Sequence, residues 1–407
     1  MRDFAPQAAA TRRRIAESVL AVFDRWGFAR VITPAFEYED VLALGLGPAG
    51  RAAAIRFVEP SSGQVVALPP DITPQIARLV ATRFGEEKGV IRLAYEGTVV
   101  RLDQRARSQR EIIQAGVEMA GVAGPAGDAE IVALAAAALE AVGFGRITID
   151  IGHLGLCREV LDALGLPEAE REVVRGAIAK RDRVGLSRLL AKARGPAEVV
   201  RFASLLPTLS GPPEVLATAL GRVPARPPGI RRALSDLREL LRELERYQLP
   251  ADLHVDLSEV RGFDYYTGMR VQGYVPGAPD AILQGGRYDS LLGRYGHPSP
   301  AVGFAIDVEA TAHALEVTDG SAPARPKGGA DDGGVLLCGA LDHALPAAET
   351  LRRAGRRAAV EIGGLAENEL GAYAQRWGFA EVRTVGAGSA SAPSGPRARR
   401  SRNRRGK

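Results

Sequence analysis

Aromatic side chains are scarce in this chain. Phe, Tyr and Trp make up 5% of its 407 residues, with only two tryptophans. Any core must therefore be mostly aliphatic, and hydrophobic residues at 46% suffice for an ordinary globular protein. Two cysteines, Cys157 and Cys338, exclude a disulfide framework and fit a reducing cytoplasm. No apolar run approaches the roughly 18–20 residues of a membrane span. The start, Met1 to Arg14, carries charge where a secretory signal would be apolar. Histidines are few and scattered. His153 and Cys157 stand four apart with no third ligand nearby in sequence, so no metal site is expected. The chain has neither a Ser-His-Asp signature nor a Gly-rich loop ending in Lys-Ser or Lys-Thr, and no cofactor is implied. Gly45-Leu-Gly47-Pro-Ala-Gly50 has the letters of a dinucleotide fingerprint, but no buried strand precedes it and Pro48 interrupts it. It reads as a loop.

The net charge of +5 is misplaced rather than general. Arg397, Arg399, Arg400, Arg402, Arg404, Arg405 and Lys407 supply seven positive charges at the C-terminus, leaving the rest of the chain at −2. A body shaped around a long RNA usually carries its own basic surface, and this one need not. The tail, 387–407, is Ser, Pro, Gly and Arg with little apolar content, and is expected to be disordered.

Periodicity divides the remainder. Residues 11–26 fit an amphipathic helix with Ile15, Val19, Leu20 and Phe23 at helical spacing. Strands are expected at 30–34, at 55–58 and 64–68 around a hairpin turn, at 91–96 and 98–102, at 111–120 and at 147–151, with helices at 74–84 and 129–142. Residues 152–250 turn helical, interrupted by Gly and Pro, and read as an insertion. Its clearest helix, 230–247, puts Leu234, Leu237, Leu241 and Leu244 on one face. Strand signals return at 253–273, 281–283 and 301–306. A Gly/Ala/Pro linker follows at 319–334. Residues 335–386 alternate strand and helix as a small α/β unit.

Three segments carry chemistry. Asp71 and Thr73 place two acceptors at a helix start, within reach of an ammonium group, although a plain N-cap explains them equally well. In the strand Glu111–Ala120, Gln114, Gly116 and Glu118 alternate and share one face. Gly116 there is expected to leave room for a ligand, and buried Gln and Glu demand partners. The third segment is Arg261-Gly-Phe-Asp-Tyr265-Tyr266-Thr-Gly268 with Gln284-Gly-Gly-Arg-Tyr-Asp289, where an Arg can clamp a carboxylate and two Tyr offer rings and hydroxyls. Together these suit a free amino acid with a polar aromatic side chain. Imidazole fits best, because neutral it offers one donor and one acceptor, and charged it offers two donors.

At this point the sequence resembles histidyl-tRNA synthetase, a class II aminoacyl-tRNA synthetase, over residues 10–315. Arg261 to Gly268 is similar to that family's histidine signature and Gln284 to Asp289 to its second signature. Arg101 resembles the motif 2 arginine, and Gln114 and Glu118 match residues that contact histidine. The resemblance implies an α+β fold: a synthetase-like core over 1–318 with a mostly antiparallel sheet flanked by helices. It also implies a histidine site made of Asp71, Thr73, Arg101, Gln114, Glu118, Arg261, Tyr265 and Tyr266. Departures point away from tRNA charging. Ala310 stands where motif 3 ends in an ATP-binding Arg, Pro69 replaces an Arg, the motif 2 loop Gln104 to Gln109 is one residue short, and the C-terminal unit is half an anticodon-binding module. This pattern resembles the regulatory subunits of ATP phosphoribosyltransferase. That resemblance implies a non-catalytic, cytoplasmic partner of the short catalytic subunit in a hetero-oligomer, involved in feedback by free histidine. It also implies a homodimeric unit pairing around Arg12–Phe36. A divergent active histidyl-tRNA synthetase is the alternative.

Overall fold

The computed structural model describes residues 3–102, 111–260, 266–318 and 333–386. The motif 2 loop, Arg261, Tyr265, most of the linker and the basic tail lie outside the described residues.

The chain opens with helix α1 (Pro6–Arg25) and strand β1 (Ala29–Arg30). Next come β2 (Glu37–Tyr38), α2 (Glu39–Gly45), α3 (Pro48–Ala53), β3 (Ile55–Val58), β4 (Val65–Leu68) and α4 (Thr73–Arg83). Two long strands follow, β5 (Ile91–Val100) and β6 (Glu111–Ala120), then α5 (Pro125–Val142) and β7 (Thr148–His153). The helical stretch holds α6 (Leu154–Ala163), α7 (Glu168–Ala179), α8 (Arg183–Leu190), α9 (Ala197–Leu205), the short β8 (Ser210–Gly211), α10 (Val215–Leu220) and α11 (Pro228–Leu244). The core closes with β9 (Asp252–Asp256), β10 (Met269–Tyr274), β11 (Leu283–Arg287), β12 (Ala301–Asp307) and α12 (Val308–Val317). The C-terminal unit is β13 (Val335–Gly339), α13 (Leu341–Arg353), β14 (Ala358–Val360), α14 (Glu367–Arg376) and β15 (Glu381–Val385).

Nine strands form one sheet in the order β1-β5-β6-β12-β11-β10-β7-β9-β8. Only β1/β5 and β7/β9 pair parallel; the six other pairings are antiparallel. This is the mostly antiparallel α+β arrangement expected of a class II synthetase-like core. One face is covered by α1 and α5. Helix α5 is almost wholly apolar, with thirteen of its eighteen residues buried, as befits a helix enclosed on nearly every side. The apolar face of α1 (Ile15, Ala16, Val19, Leu20, Phe23) enters the same core, so a core role, not subunit pairing, accounts for it.

Several expected boundaries shift. The strand expected at 30–34 is only two residues, β1. The two strands expected across 91–102 are one, because Gly97 continues the ladder against Gln114. A Cβ at Gly97 would meet the Ile72 side chain at 2.8 Å. The Gly45–Gly50 segment is not a loop. It runs from the end of α2 into α3, which starts on Pro48, a residue pre-set for a first helical turn. The 152–250 stretch is no detached lobe: residues of α6 to α11 belong to the main apolar core, and β9 returns to pair with β7. On α11 the fully buried leucines are Leu234, Leu237, Leu240 and Leu244, with Leu241 only partly covered.

The small unit is a parallel sheet, β14-β13-β15, docked on the core through a buried arginine. Arg92 of β5 is 2% exposed and makes a two-point pair with Glu130 of α5, at 2.8 and 3.0 Å. It also donates to Val360 O (2.9 Å) and to the Tyr373 hydroxyl (3.4 Å) of the C-terminal unit.

Candidate amino-acid pocket

The sheet face carrying Gln114 and Glu118 opens into a cavity of about 720 Å3, within the usual range for small-ligand sites. Its floor is β6, β11 and β12, and its rim includes α3. A wall comes from α7 of the helical stretch through Glu172, Arg175 and Gly176. Asp71, Thr73, Arg101, Gln114, Glu118 and Tyr266 all line it. Thus six of the eight residues singled out by sequence meet in one cavity. The other two, Arg261 and Tyr265, lie outside the described residues.

Glu118 is the centre of the polar set. It is 5% exposed, and three hydroxyls donate to it: Thr73 (2.7 Å) and Tyr95 (3.3 Å) to one oxygen, Tyr288 to the other. Burial pushes its carboxyl up to about 8, against the lowering effect of these hydroxyls, with nearby Asp71 adding to the rise. Asp71 accepts from the Thr73 backbone N–H (3.2 Å) and shapes the start of α4. The Thr73 hydroxyl lies 2.7 Å from Glu118 and 3.3 Å from Asp71, and with its single proton given to one of them its oxygen retains capacity to accept. Gln114 is 7% exposed and its buried side-chain carbonyl has no partner among the described residues. A buried amide oxygen facing a cavity without a donor is costly, and a ligand N–H would satisfy it.

Arg101 lines the cavity and donates through Nε to Pro70 O at 2.7 Å, tying the end of β5 to the Asp71 segment. Tyr266 is partly buried, and desolvation raises its phenol to about 12. The Arg270 guanidinium lies 4.9 Å over its ring. Arg270 was not legible as a site residue. It is 3% exposed, donates to Gly285 O and to Gln284 Oε1 at 2.9 Å each, and keeps a buried Nε without a partner among the described residues. Arg287, inside the second signature, spends its donors on the framework: Asp128, Asp289 and the carbonyls of Val122 and Gly124.

The glycines act differently from the expectation. The space left by Gly116 is taken by Tyr95, whose ring would stand 2.5 Å from an added Cβ. The ring reaches Glu118 through that gap, so Gly116 admits a protein side chain rather than a ligand. Gly303, opposite Glu118 in the ladder, is constrained most severely. A Cβ there would lie 1.9 Å from a Glu118 oxygen and 2.3 Å from Val117 O.

This cavity lies in a chain with extensive likeness to known proteins. The histidyl-tRNA synthetase family profile matches residues 1–311. The ATP phosphoribosyltransferase regulatory subunit of Geobacter sulfurreducens is 38% identical over 94% of this chain and 87% of its own length. That of Syntrophotalea carbinolica is 42% identical over 80% and 76%. The chain belongs to the family of ATP phosphoribosyltransferase regulatory subunits. Among solved structures, a regulatory subunit/histidyl-tRNA synthetase from Bacillus halodurans shares the fold, with TM-score 0.70 at 24% identity over 94% of this chain and 96% of that one. A histidine–tRNA ligase subunit from Alicyclobacillus acidocaldarius gives TM-score 0.65 at 28% identity, covering 78% and 96%. Members of the regulatory family are thus built on a synthetase-like core, and the function is that of a regulatory subunit. In this family frame Ala310 sits in the first turn of α12, its N–H capped by Asp307 at 2.9 Å, where it packs against the main core.

Proposed function

We propose that the chain is a non-catalytic partner of a short ATP phosphoribosyltransferase catalytic subunit and that its pocket binds free histidine as part of feedback control. The observation that carries this reading is the buried Glu118–Gln114 pair on one sheet face, with a raised carboxyl and an unpartnered amide oxygen turned into the cavity. In the proposed pose Glu118 and a tyrosine hold the imidazole, Asp71, Thr73 and Gln114 the ammonium, and Arg261 the carboxylate, with Arg270 adding positive potential. Aminoacylation is not proposed, because Ala310 offers no cation to a nucleotide phosphate. The site is proposed to work in the cytoplasm and in a homodimeric unit. Support for the dimer is an exposed apolar strip over residues 32–65, including Phe36, Tyr38, Phe57 and Val58, with Ile32 at 96% exposure.

The test is co-expression with the short catalytic chain, followed by purification and assay with and without this chain and histidine. Joint elution, activity dependent on both chains, and heat of histidine binding in calorimetry are expected. Failure to co-purify, or histidine-dependent pyrophosphate exchange at an ordinary synthetase rate, would overturn the reading.

A further inference from the structure

A second cavity, of about 640 Å3, lies where the C-terminal unit meets the core. It shares no lining residue with the histidine pocket. Its walls come from Trp26 just past α1, α5 (Ala137, Glu140), the segment after α11 (Tyr247) and α13 (Arg352).

Arg352 is unusual here. It is 7% exposed, its Nε donates to Ala358 O at 3.0 Å, and its guanidinium lies 3.7 Å over the Trp26 ring. Trp26 stacks in turn on Tyr247, at 6.3 Å and 11°. Among the described residues no carboxylate comes within ion-pair distance of Arg352. The neighbouring guanidiniums are engaged: Arg246 with Glu243 and Asp342, Arg353 with Glu349 and Gln248. Deeper in the junction, Arg92 takes both oxygens of Glu130. Two buried guanidiniums therefore face one buried carboxylate, and that carboxylate is fully committed to Arg92. Position in the last turn of α13 and the Trp26 face compensate Arg352 in part. Neither supplies the pair of acceptor oxygens that a planar guanidinium fork fits.

We propose that this junction cavity binds a small oxyanion, a phosphate or carboxylate group, gripped by the terminal nitrogens of Arg352. Burial has drawn the Arg352 guanidinium down to about 10, with Glu130, Tyr247 and Glu349 opposing the fall. Because the walls belong to both the core and the C-terminal unit, an occupant fastens one to the other.

The test uses the full chain with inorganic phosphate and, separately, acetate, each against chloride at equal ionic strength. Tryptophan emission in a Trp377→Phe background, which leaves Trp26 as the only indole, is read together with the unfolding temperature. A saturable change in both readouts with phosphate or acetate is expected, and the anion that saturates first identifies the class. Arg352→Lys keeps the charge and loses the fork, and should weaken binding at least about tenfold. Ala137→Phe narrows the cavity without altering a charge and should abolish the emission change, which guards against a lysine variant that simply unfolds. Responses no different from chloride, or a folded Arg352→Lys or Ala137→Phe protein that binds as well as the parent, would overturn the proposal.

Discussion

A carboxylate enclosed by sheet and helix, like that of Glu118, must recover from neighbours what it loses in water. Three hydroxyls do part of this, yet its pKa remains near 8 where an ordinary glutamate has 4.5. The folded chain therefore holds a proton that the unfolded chain releases between those values. Its contribution to stability is greatest below about 4.5 and falls as pH rises towards 8. Glu118→Gln removes the titration while keeping the shape. Without histidine, the unfolding temperature of that variant relative to wild type should be higher at pH 8 than at pH 5. A difference independent of pH would show that Glu118 does not titrate in this window. A bound imidazole N–H is proposed to draw that proton off and meet a carboxylate, and the same substitution removes the charge this contact uses. Histidine affinity measured by calorimetry should therefore drop about 10- to 150-fold, the equivalent of about 1.5–3 kcal/mol. Gln114 and Glu118 were legible in sequence because a strand's alternation puts them on one face. Tyr95 and Tyr288 were not recognised as partners of Glu118, because cross-strand register decides them. Tyr95 stands beside Gly116 only once β5 and β6 are aligned. Arg270 stayed hidden for a similar reason: one arginine in a strand gives no sign of which cavity it borders.

At the scale of elements, the C-terminal unit was read to within a few residues at most boundaries, since short apolar strands alternating with amphipathic helices leave a clear period. Its attachment was not legible, because Arg92 gives no sequence cue to a partner 268 residues away at Val360. Removing one member of a buried ion pair typically costs about 3–5 kcal/mol. Arg92→Met strands Glu130 and breaks two contacts to the C-terminal unit. Residues 335–385 should then exchange their amide hydrogens much faster while the nine-stranded sheet stays protected. Uniform loosening of both parts would mean that Arg92 serves the core alone. The helical stretch at 152–250 was recognised by composition, but its integration was not. Apolar periodicity reports that a helix has a buried face, not what covers it.

For the whole molecule, the synthetase-like architecture was evident from long motifs, and the pairing segment expected around Arg12–Phe36 divides into a buried part and an exposed part. Helix α1 spends its apolar face inward, and the exposed strip begins at Ile32. If the chain pairs through that strip, Ile32→Glu should shift it towards monomer in sedimentation analysis without lowering its unfolding temperature as a monomer. An unchanged dimer would move the interface elsewhere, and a monomeric parent would remove it.

The order β5-β6-β12 also has a consequence in time. Strand β6 leaves the ribosome more than 180 residues before β12, the neighbour it pairs with on its second side. Until that neighbour arrives, the edge bearing Glu118 has open backbone donors and acceptors, the kind of edge that recruits stray strands. The centre of this sheet is therefore closed late in synthesis. The carboxylate meets Tyr288, and the Gly303 gap that accommodates it, only when the core is almost fully made.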